Sequence, residues 1–193
     1  SDFSANAYDQ VYDAPRPEIF FKSLPEKVVH PSDAVGIRAD ATWNVPEPEL
    51  TLVVNSRKEL VGVSIGNDMS SRDIEGENLL YLPQAKMYER ACAIGPCIVT
   101  GADETAIRQW TIGVEIIHNG DTVFSGDTSI NNIKRTFDEL LDYLGRSQSF
   151  PHGAMLLTGT GVVPGDEFTL AAEDRIRITI SGIGTLENPV AIV

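Results

Sequence analysis

Glu47 and Glu49, with one residue between them, and Asp68 on the next extended run are the side chains whose types and spacing point to shared chemistry. Alternate residues of a strand share a face, so Glu47 and Glu49 point the same way. Leu50 to Val54 and Leu60 to Ile65 are rich in β-formers. They flank the polar set Asn55-Ser56-Arg57-Lys58-Glu59, which reads as a hairpin turn. A turn centred near Arg57-Lys58 sets Asp68 opposite Glu47; a slip of two sets it opposite Glu49. Directly opposed side chains lie about 5 Å apart, so in either register the three carboxylates converge. Like charges so close repel unless protonated or neutralised by a cation. An all-oxygen set suits a hard ion, Mg2+ first, with Mn2+ and Ca2+ as alternatives. Spacing alone leaves an equal second reading, an acidic, solvated strand end without metal.

The segment after Asp68 is dense in functional groups for a connection between strands. Ser70-Ser71 offers a helix cap. Arg72, Glu75, Glu77, Gln84 and Lys86 follow, either lining a pocket beside the carboxylates or forming a surface helix with incidental ion pairs. Thr158-Gly159-Thr160-Gly161 is too short for a phosphate loop and reads as a simple turn or as a carboxylate-binding loop. The stretch Ser23 to Asp33, with Lys27 and His30, reads as a plain connector or a lid. His118 and His152 look like surface positions, and Gly-x-Ser-x-Gly is absent.

These groups need a scaffold. Residues 1–17 form a polar lead-in with a short helix expected around Ala7–Tyr12. Ile19-Phe20-Phe21 reads as a short buried strand, and Gly95-Pro96 as a break before a strand at Cys97–Thr100. Trp110 to Ser125 reads as a second hairpin, turning at Asn119-Gly120. Asn131 to Leu144 is the clearest helix, closed by Gly145. Ala154 to Thr158, Phe168 to Ala171 and Ile176 to Ile180 read as strands. Gly182 to Asn188 reads as a turn before a short final strand. Many short strands and no βαβ rhythm predict a mostly β (α+β) domain, a sandwich or roll with few helices.

Bulk properties narrow the function. At 193 residues, the chain is expected to be a single domain, 1–193. A net charge of −13 argues against a nucleic-acid partner. No run of 18 apolar residues marks a membrane span, and no signal peptide is visible. Two cysteines, Cys92 and Cys97, make no disulfide scaffold and read as buried free thiols. A cytoplasmic location is the expectation.

Four motifs together resemble the fumarylacetoacetate hydrolase superfamily. They are Arg16-Pro17-Glu18-Ile19-Phe20-Phe21-Lys22, Glu47-x-Glu49, Gly66-Asn67-Asp68-Met69-Ser70-Ser71-Arg72-Asp73 and Leu157-Thr158-Gly159-Thr160, in that order. The resemblance implies the mixed β-roll of the fumarylacetoacetase C-terminal type, a homodimer, and Mg2+ held by Glu47, Glu49 and Asp68. It implies a catalytic lysine at Lys86 and substrate contacts from Arg72 and Thr160. Glu75, with the run Glu77 to Lys86, resembles the branch that dehydrates 2-keto-3-deoxy-pentonates. Members of that branch carry a further N-terminal domain, so Ser1 is expected to begin a fragment.

Three functions follow as expectations. The first is a Mg-dependent dehydratase of a small-molecule 2-oxo sugar acid, working through a metal-stabilised enolate. Lys86 serves as base or enolate anchor, Glu75 or Glu77 shuttles the second proton, and Arg72, Gln84, Gly159 and Thr160 bind substrate. The second is a C–C hydrolase of acylpyruvates, with His30 as the only candidate to help activate water. The third is a non-enzymatic domain that binds metal or a partner protein.

Overall fold

The structure is a computed structural model and describes residues 14–193. The helix expected around Ala7–Tyr12 lies outside the described residues. Among the described residues twelve strands form two five-stranded sheets and one two-stranded ribbon. The first sheet has the order β1 (Val28–Val29), β7 (Cys92–Val99), β5 (Leu60–Asp68), β4 (Pro48–Val54), β10 (Ala154–Leu157). The second has the order β2 (Val35–Ile37), β12 (Gly184–Ile192), β11 (Arg175–Ile180), β8 (Thr111–His118), β9 (Asp121–Ser129). The ribbon pairs β3 (Asn44–Val45) with β6 (Ser70–Ser71). Each large sheet has one parallel pair, β1 with β7 and β2 with β12, among antiparallel ones. This is the mostly β architecture expected from the strand pattern, with the mixed sheets that the family resemblance implies.

The core follows from alternation. Leu50, Leu52 and Val54 of β4, with Val63 and Ile65 of β5, join Ile112, Val114 and Ile116 of β8 and Ile176, Ile178 and Ile180 of β11 in one buried cluster. Each such side chain contributes about 1.5–3 kcal/mol by leaving water. Glu49 and Thr51 alternate with those β4 residues and point to the opposite face, yet they too are buried. The first sheet thus buries apolar side chains on one face and a polar row on the other.

Both predicted hairpins form. At the second, Asn119 and Gly120 have φ of 52° and 94°, as a type I′ turn requires. Four short α-helices occur among the described residues: α1 (Arg72–Glu77), α2 (Leu82–Lys86), α3 (Glu104–Ile107) and α4 (Phe137–Gly145). The helix expected from Asn131 therefore begins later. Thr136 caps it, its hydroxyl accepting from Glu139 N at 3.2 Å, and Ile130–Asn132 is a separate 3-10 turn. The T-x-x-E spacing of a capping box marks that start in the sequence.

Other expectations are corrected. Ile19-Phe20-Phe21 is no strand; Ile19 and Phe21 are 37% and 57% exposed. The connector after Ser23 contains β1, which adds to the sheet edge. Gly95-Pro96 is a cis peptide inside β7 rather than a break before it. Phe168 to Ala171 forms no strand, and β12 already starts at Gly184. Cys92 is buried as expected, but Cys97 is exposed.

Gly66 lies between the site residues on the polar face. A Cβ there would stand 2.5 Å from Thr51 Oγ1 and 2.9 Å from Leu157 Cγ. Gly66→Ala is expected to lower stability by about 1–3 kcal/mol through overpacking, read as a fall in the urea midpoint.

Candidate metal centre

The hairpin has the first of the two registers. Glu49 pairs with Gly66 and Pro48 with Asn67, and Asp68 N donates to Glu47 O at 2.9 Å. Glu47 immediately precedes β4, Glu49 lies within it, and Asp68 ends β5. One carboxylate oxygen from each lies within 4.8 Å of the other two, and all three residues are buried. The solvated strand end is thereby ruled out; this is an enclosed acidic cluster.

Cations surround it unevenly. Lys86, at the end of α2, places Nζ 2.8 Å from Glu47 Oε2, 2.5 Å from Ser70 Oγ and 3.4 Å from Asp68 Oδ2. Arg72, at the start of α1, pairs with Glu47 Oε1 at 2.9 Å and reaches Glu75 Oε2 at 3.8 Å. Lys22 Nζ lies 2.5 Å from Asp68 Oδ1 and donates to Met69 O at 2.9 Å and to Lys86 O. Glu49 has no cationic partner among the described ion pairs. Its Oε2 accepts a backbone hydrogen bond from Gly159 N at 2.5 Å. Gly159 has φ +89°, a conformation that favours glycine, and this aims its N–H at the carboxylate.

The electrostatics follow this unevenness. Burial pushes the Glu49 carboxyl well above its ordinary value, and the negative charges of Asp68 and Glu47 push it further. Burial acts the same way on Glu47, but Lys86 and Arg72 outweigh it and hold that carboxyl low. Burial pulls the Lys86 ammonium down, while Glu47, Asp68 and Glu75 prevail and keep it above the ordinary lysine value.

These residues fit a divalent cation on two grounds. First, Asp68 Oδ1 is buried without a hydrogen bond; Lys22 approaches it closely as an ion pair but out of hydrogen-bonding alignment. Second, among the described residues the buried carboxylates Glu47, Glu49, Asp68 and Glu75 face the cations Lys22, Arg72 and Lys86. Carboxylates outnumber cations, and Glu49, with no ion pair among those described, is the one left uncompensated.

The other predicted site residues divide into two groups. Glu75 is buried, with Oε2 lacking a hydrogen bond. Arg72 is engaged with Glu47 and Glu75, and Gly159 with Glu49. Glu77 and Gln84 are exposed; the contact described for Gln84 is a backbone one, its carbonyl accepting from Arg38. The Thr160 hydroxyl turns back on its own loop, donating to Val162 O at 3.0 Å. His30 is exposed, with its carbonyl taken by Asn188 and no described side-chain contact to the carboxylates.

Sequence reasoning named Glu18 and Lys22 only within the motif Arg16 to Lys22 and Ser70 only as a helix cap, and gave none of them a place in the site. Glu18 is exposed as a residue, yet partial desolvation of its carboxyl, and then the negative charge of Glu75, raise it above the ordinary value. Glu18 and Lys22 flank Ile19-Phe20-Phe21, and that apolar run suggested a strand that hides its signal.

The fold and the site together match a known family. The model of the fumarylacetoacetate (FAA) hydrolase C-terminal family matches residues 4–191, and the chain belongs to that family. Among its relatives, a probable 2-keto-3-deoxyxylonate dehydratase of Haloferax volcanii is 48% identical over 186 residues, 96% of this chain and 64% of that protein. A 2-dehydro-3-deoxy-D-arabinonate dehydratase of Saccharolobus solfataricus is 44% identical over 95% of this chain and 61% of its own length. The solved structure of a 2-keto-3-deoxy-D-arabinonate dehydratase complexed with magnesium and 2,5-dioxopentanoate superposes with a TM-score of 0.93 at 44% identity, covering 96% of this chain and 66% of that one. The chain thus spans a little under two thirds of the length of these relatives.

Proposed function

We propose that these 193 residues are the catalytic unit of a Mg2+-dependent hydro-lyase that removes water from a 2-keto-3-deoxy-pentonate. The observation that carries this reading is the buried triad Glu47, Glu49 and Asp68, with its excess negative charge. The magnesium and dioxopentanoate in the related structure support it. A divalent cation in the triad, with Mn2+ or Ca2+ as alternatives to Mg2+, supplies Lewis-acid stabilisation of charge developing on the oxygens of a 2-oxo acid.

The chain's own groups do the rest. Glu47, Glu49 and Asp68 hold the ion, and Lys86 and Arg72 fix the orientation of Glu47. Lys86 is held protonated by its carboxylate neighbours, so in this arrangement it acts as a cationic hydrogen-bond donor rather than a base. Glu75, buried with one oxygen lacking a hydrogen bond, takes the C3 proton. Glu18, on the same segment as Lys22 and with its carboxyl raised by partial desolvation and by the charge of Glu75, hands a proton to the departing C4 hydroxyl. Loss of the C3 proton and the C4 hydroxyl as water leaves a 5-hydroxy-2-oxo-3-enoate; moving a proton from C5 to C3 turns this into the C4–C5 enol, which ketonises to the 2,5-dioxo acid. Glu77, Gln84 and Thr160 have no described contact with the triad, and Arg72 positions two carboxylates instead of offering a vacant guanidinium.

The acylpyruvate hydrolase reading stands second, because its candidate base His30 is exposed and its side chain has no described contact with the triad. We further propose that the protein acts as a cytoplasmic homodimer in sugar-acid catabolism. The free thiols Cys92 and Cys97 support the compartment. The half-exposed Ile98 and Met155 support self-association. Among the described residues no helix is long and apolar enough to cross a membrane.

A panel of 2-keto-3-deoxy acids and acylpyruvates, assayed with Mg2+ and with chelator, tests the function. Chelator-sensitive release of 2,5-dioxopentanoate from the pentonate is expected. Pyruvate from acylpyruvates, with the pentonates untouched, would reverse the order of the two readings.

A further inference from the structure

Lys22 and Glu18 reach the site on a segment with no secondary structure of its own. Residues 17–24 form neither helix nor strand, and Ile19, Phe21 and Leu24 are substantially exposed. Few apolar contacts hold such a strap, so its position depends on its ends. One end is the site itself, where Lys22 Nζ meets Asp68 and the carbonyls of Met69 and Lys86.

The other end is fastened to α4 and the residues just before it. Arg135 Nη2 donates to Ala14 O at 2.6 Å, and the Tyr143 hydroxyl donates to Pro15 O at 2.7 Å. The Arg16 guanidinium lies over the Tyr143 ring at 5.5 Å, and Arg146 packs on that ring at 3.9 Å. Arg135 is itself held rigid. Its side chain pairs with Glu139, and its carbonyl accepts from Arg108 Nη2 at 2.8 Å. Rigid donors therefore grip two successive backbone carbonyls, three and four residues before Glu18. Proline at positions 15 and 17 further restricts the chain between grip and site.

We propose that Arg135 and Tyr143 are positioning residues for the candidate site, acting through the strap 14–22 to keep Lys22 on Asp68 and Glu18 beside the carboxylates. They touch neither the triad nor any position assigned to substrate. The turnover consequence rests on the dehydratase reading above; the latch does not.

Trypsin reports the latch without substrate. Cleavage after Lys22 requires its ammonium to leave Asp68 and enter the protease, so the native cleavage rate measures strap release. Tyr143→Phe combined with Arg135→Gln removes both donors and keeps the Tyr143-position ring under Arg146. Glu139→Gln is the control, since it neutralises the partner of Arg135 on α4 while keeping the acceptor oxygen that orients Arg135, and it leaves both strap carbonyls gripped. The latch variant is expected to speed cleavage at Lys22 by about 10- to 30-fold, the effect of losing two hydrogen bonds. Its kcat/KM on the 2-keto-3-deoxy-pentonate is expected to fall by a similar factor, with the thermal midpoint matching that of Glu139→Gln. The control is expected to leave both rates within about twofold of the parent. Cleavage at Lys22 unchanged in the latch variant, or equally faster in the control, overturns the proposal. If the parent does not turn over any pentonate, the dehydratase reading fails, and the cleavage comparison still decides the latch.

Discussion

Glu49→Gln should make the metal-free protein more stable and remove its stabilisation by Mg2+. Glu49 is buried beside two other carboxylates and has a single backbone N–H as its described hydrogen-bond partner. Ionising it without a cation is costly, and the amide of glutamine avoids that charge at nearly the same volume. A gain of about 1–3 kcal/mol is expected in chelator, or roughly 2–12 °C in thermal midpoint for a domain of this size. The parent should gain about 2.7 kcal/mol at a Mg2+ concentration 100 times its Kd, whereas Glu49→Gln should gain little.

The pH dependence has a definite sign. The folded-state value of Glu49 is raised, so its favourable contribution is complete below the ordinary value of 4.5 and is lost as pH rises from there through the folded value. The stability gap between Glu49→Gln and the metal-free parent should therefore widen as pH rises. Glu47 behaves oppositely. Its value is lowered, so its contribution is present above 4.5 and disappears as pH falls through the folded value. Thermal scans across pH, with chelator and with Mg2+, read both effects. A metal-free parent that outlasts Glu49→Gln at neutral pH would mean that Glu49 is compensated by something other than a cation.

Lys86→Met should damage both folding and turnover. The Lys86 ammonium lies between Glu47 and Asp68 and bonds to Ser70, with only 4% of the residue exposed. Methionine fills much of the same space but leaves two buried carboxylates facing each other. Removing one partner of a buried ion pair costs about 3–5 kcal/mol, a large share of the roughly 5–15 kcal/mol that holds a domain folded. Because its folded value is raised, the Lys86 contribution is present at neutral pH and lost only as pH rises through that value. Mg2+ should restore part of the stability, since a cation offsets the same repulsion. Turnover should not recover with it, and a loss of about 100-fold or more is expected from removing a charge-stabilising hydrogen-bond donor. Urea melts with and without Mg2+, set beside kcat of the Mg2+-loaded variant, separate the two roles.

Much of this site is legible in the sequence because hairpins are local. The alternation in Leu50–Val54 and Leu60–Ile65, with the polar turn between them, fixes which residues share a face. It left two registers, and the pairing of Glu49 with Gly66 selects one. The contacts of Lys86 are less local, because α1 and α2 must fold back to bring it to Glu47. The strap is not legible at all. Ile19-Phe20-Phe21 has strand composition, but the neighbouring Lys22 is drawn to Asp68 and the run stays half in solvent. Tertiary electrostatics overrode local propensity there. At Thr160 and at the start of α4 the cause is local instead: the Thr160 hydroxyl turns back on Val162, and the Thr136 cap prevails over the apolar pattern beginning at Asn131.

The most direct measurement is an equilibrium titration with Mn2+, read by the loss of the free-ion electron paramagnetic resonance signal. The parent is expected to bind one Mn2+ per chain, displaced by Mg2+, and the double variant Glu49→Gln with Asp68→Asn is expected to bind none at the same site. A parent that leaves millimolar Mn2+ free, or a double variant that binds it as the parent does, would contradict the assignment of Glu47, Glu49 and Asp68 as a metal centre.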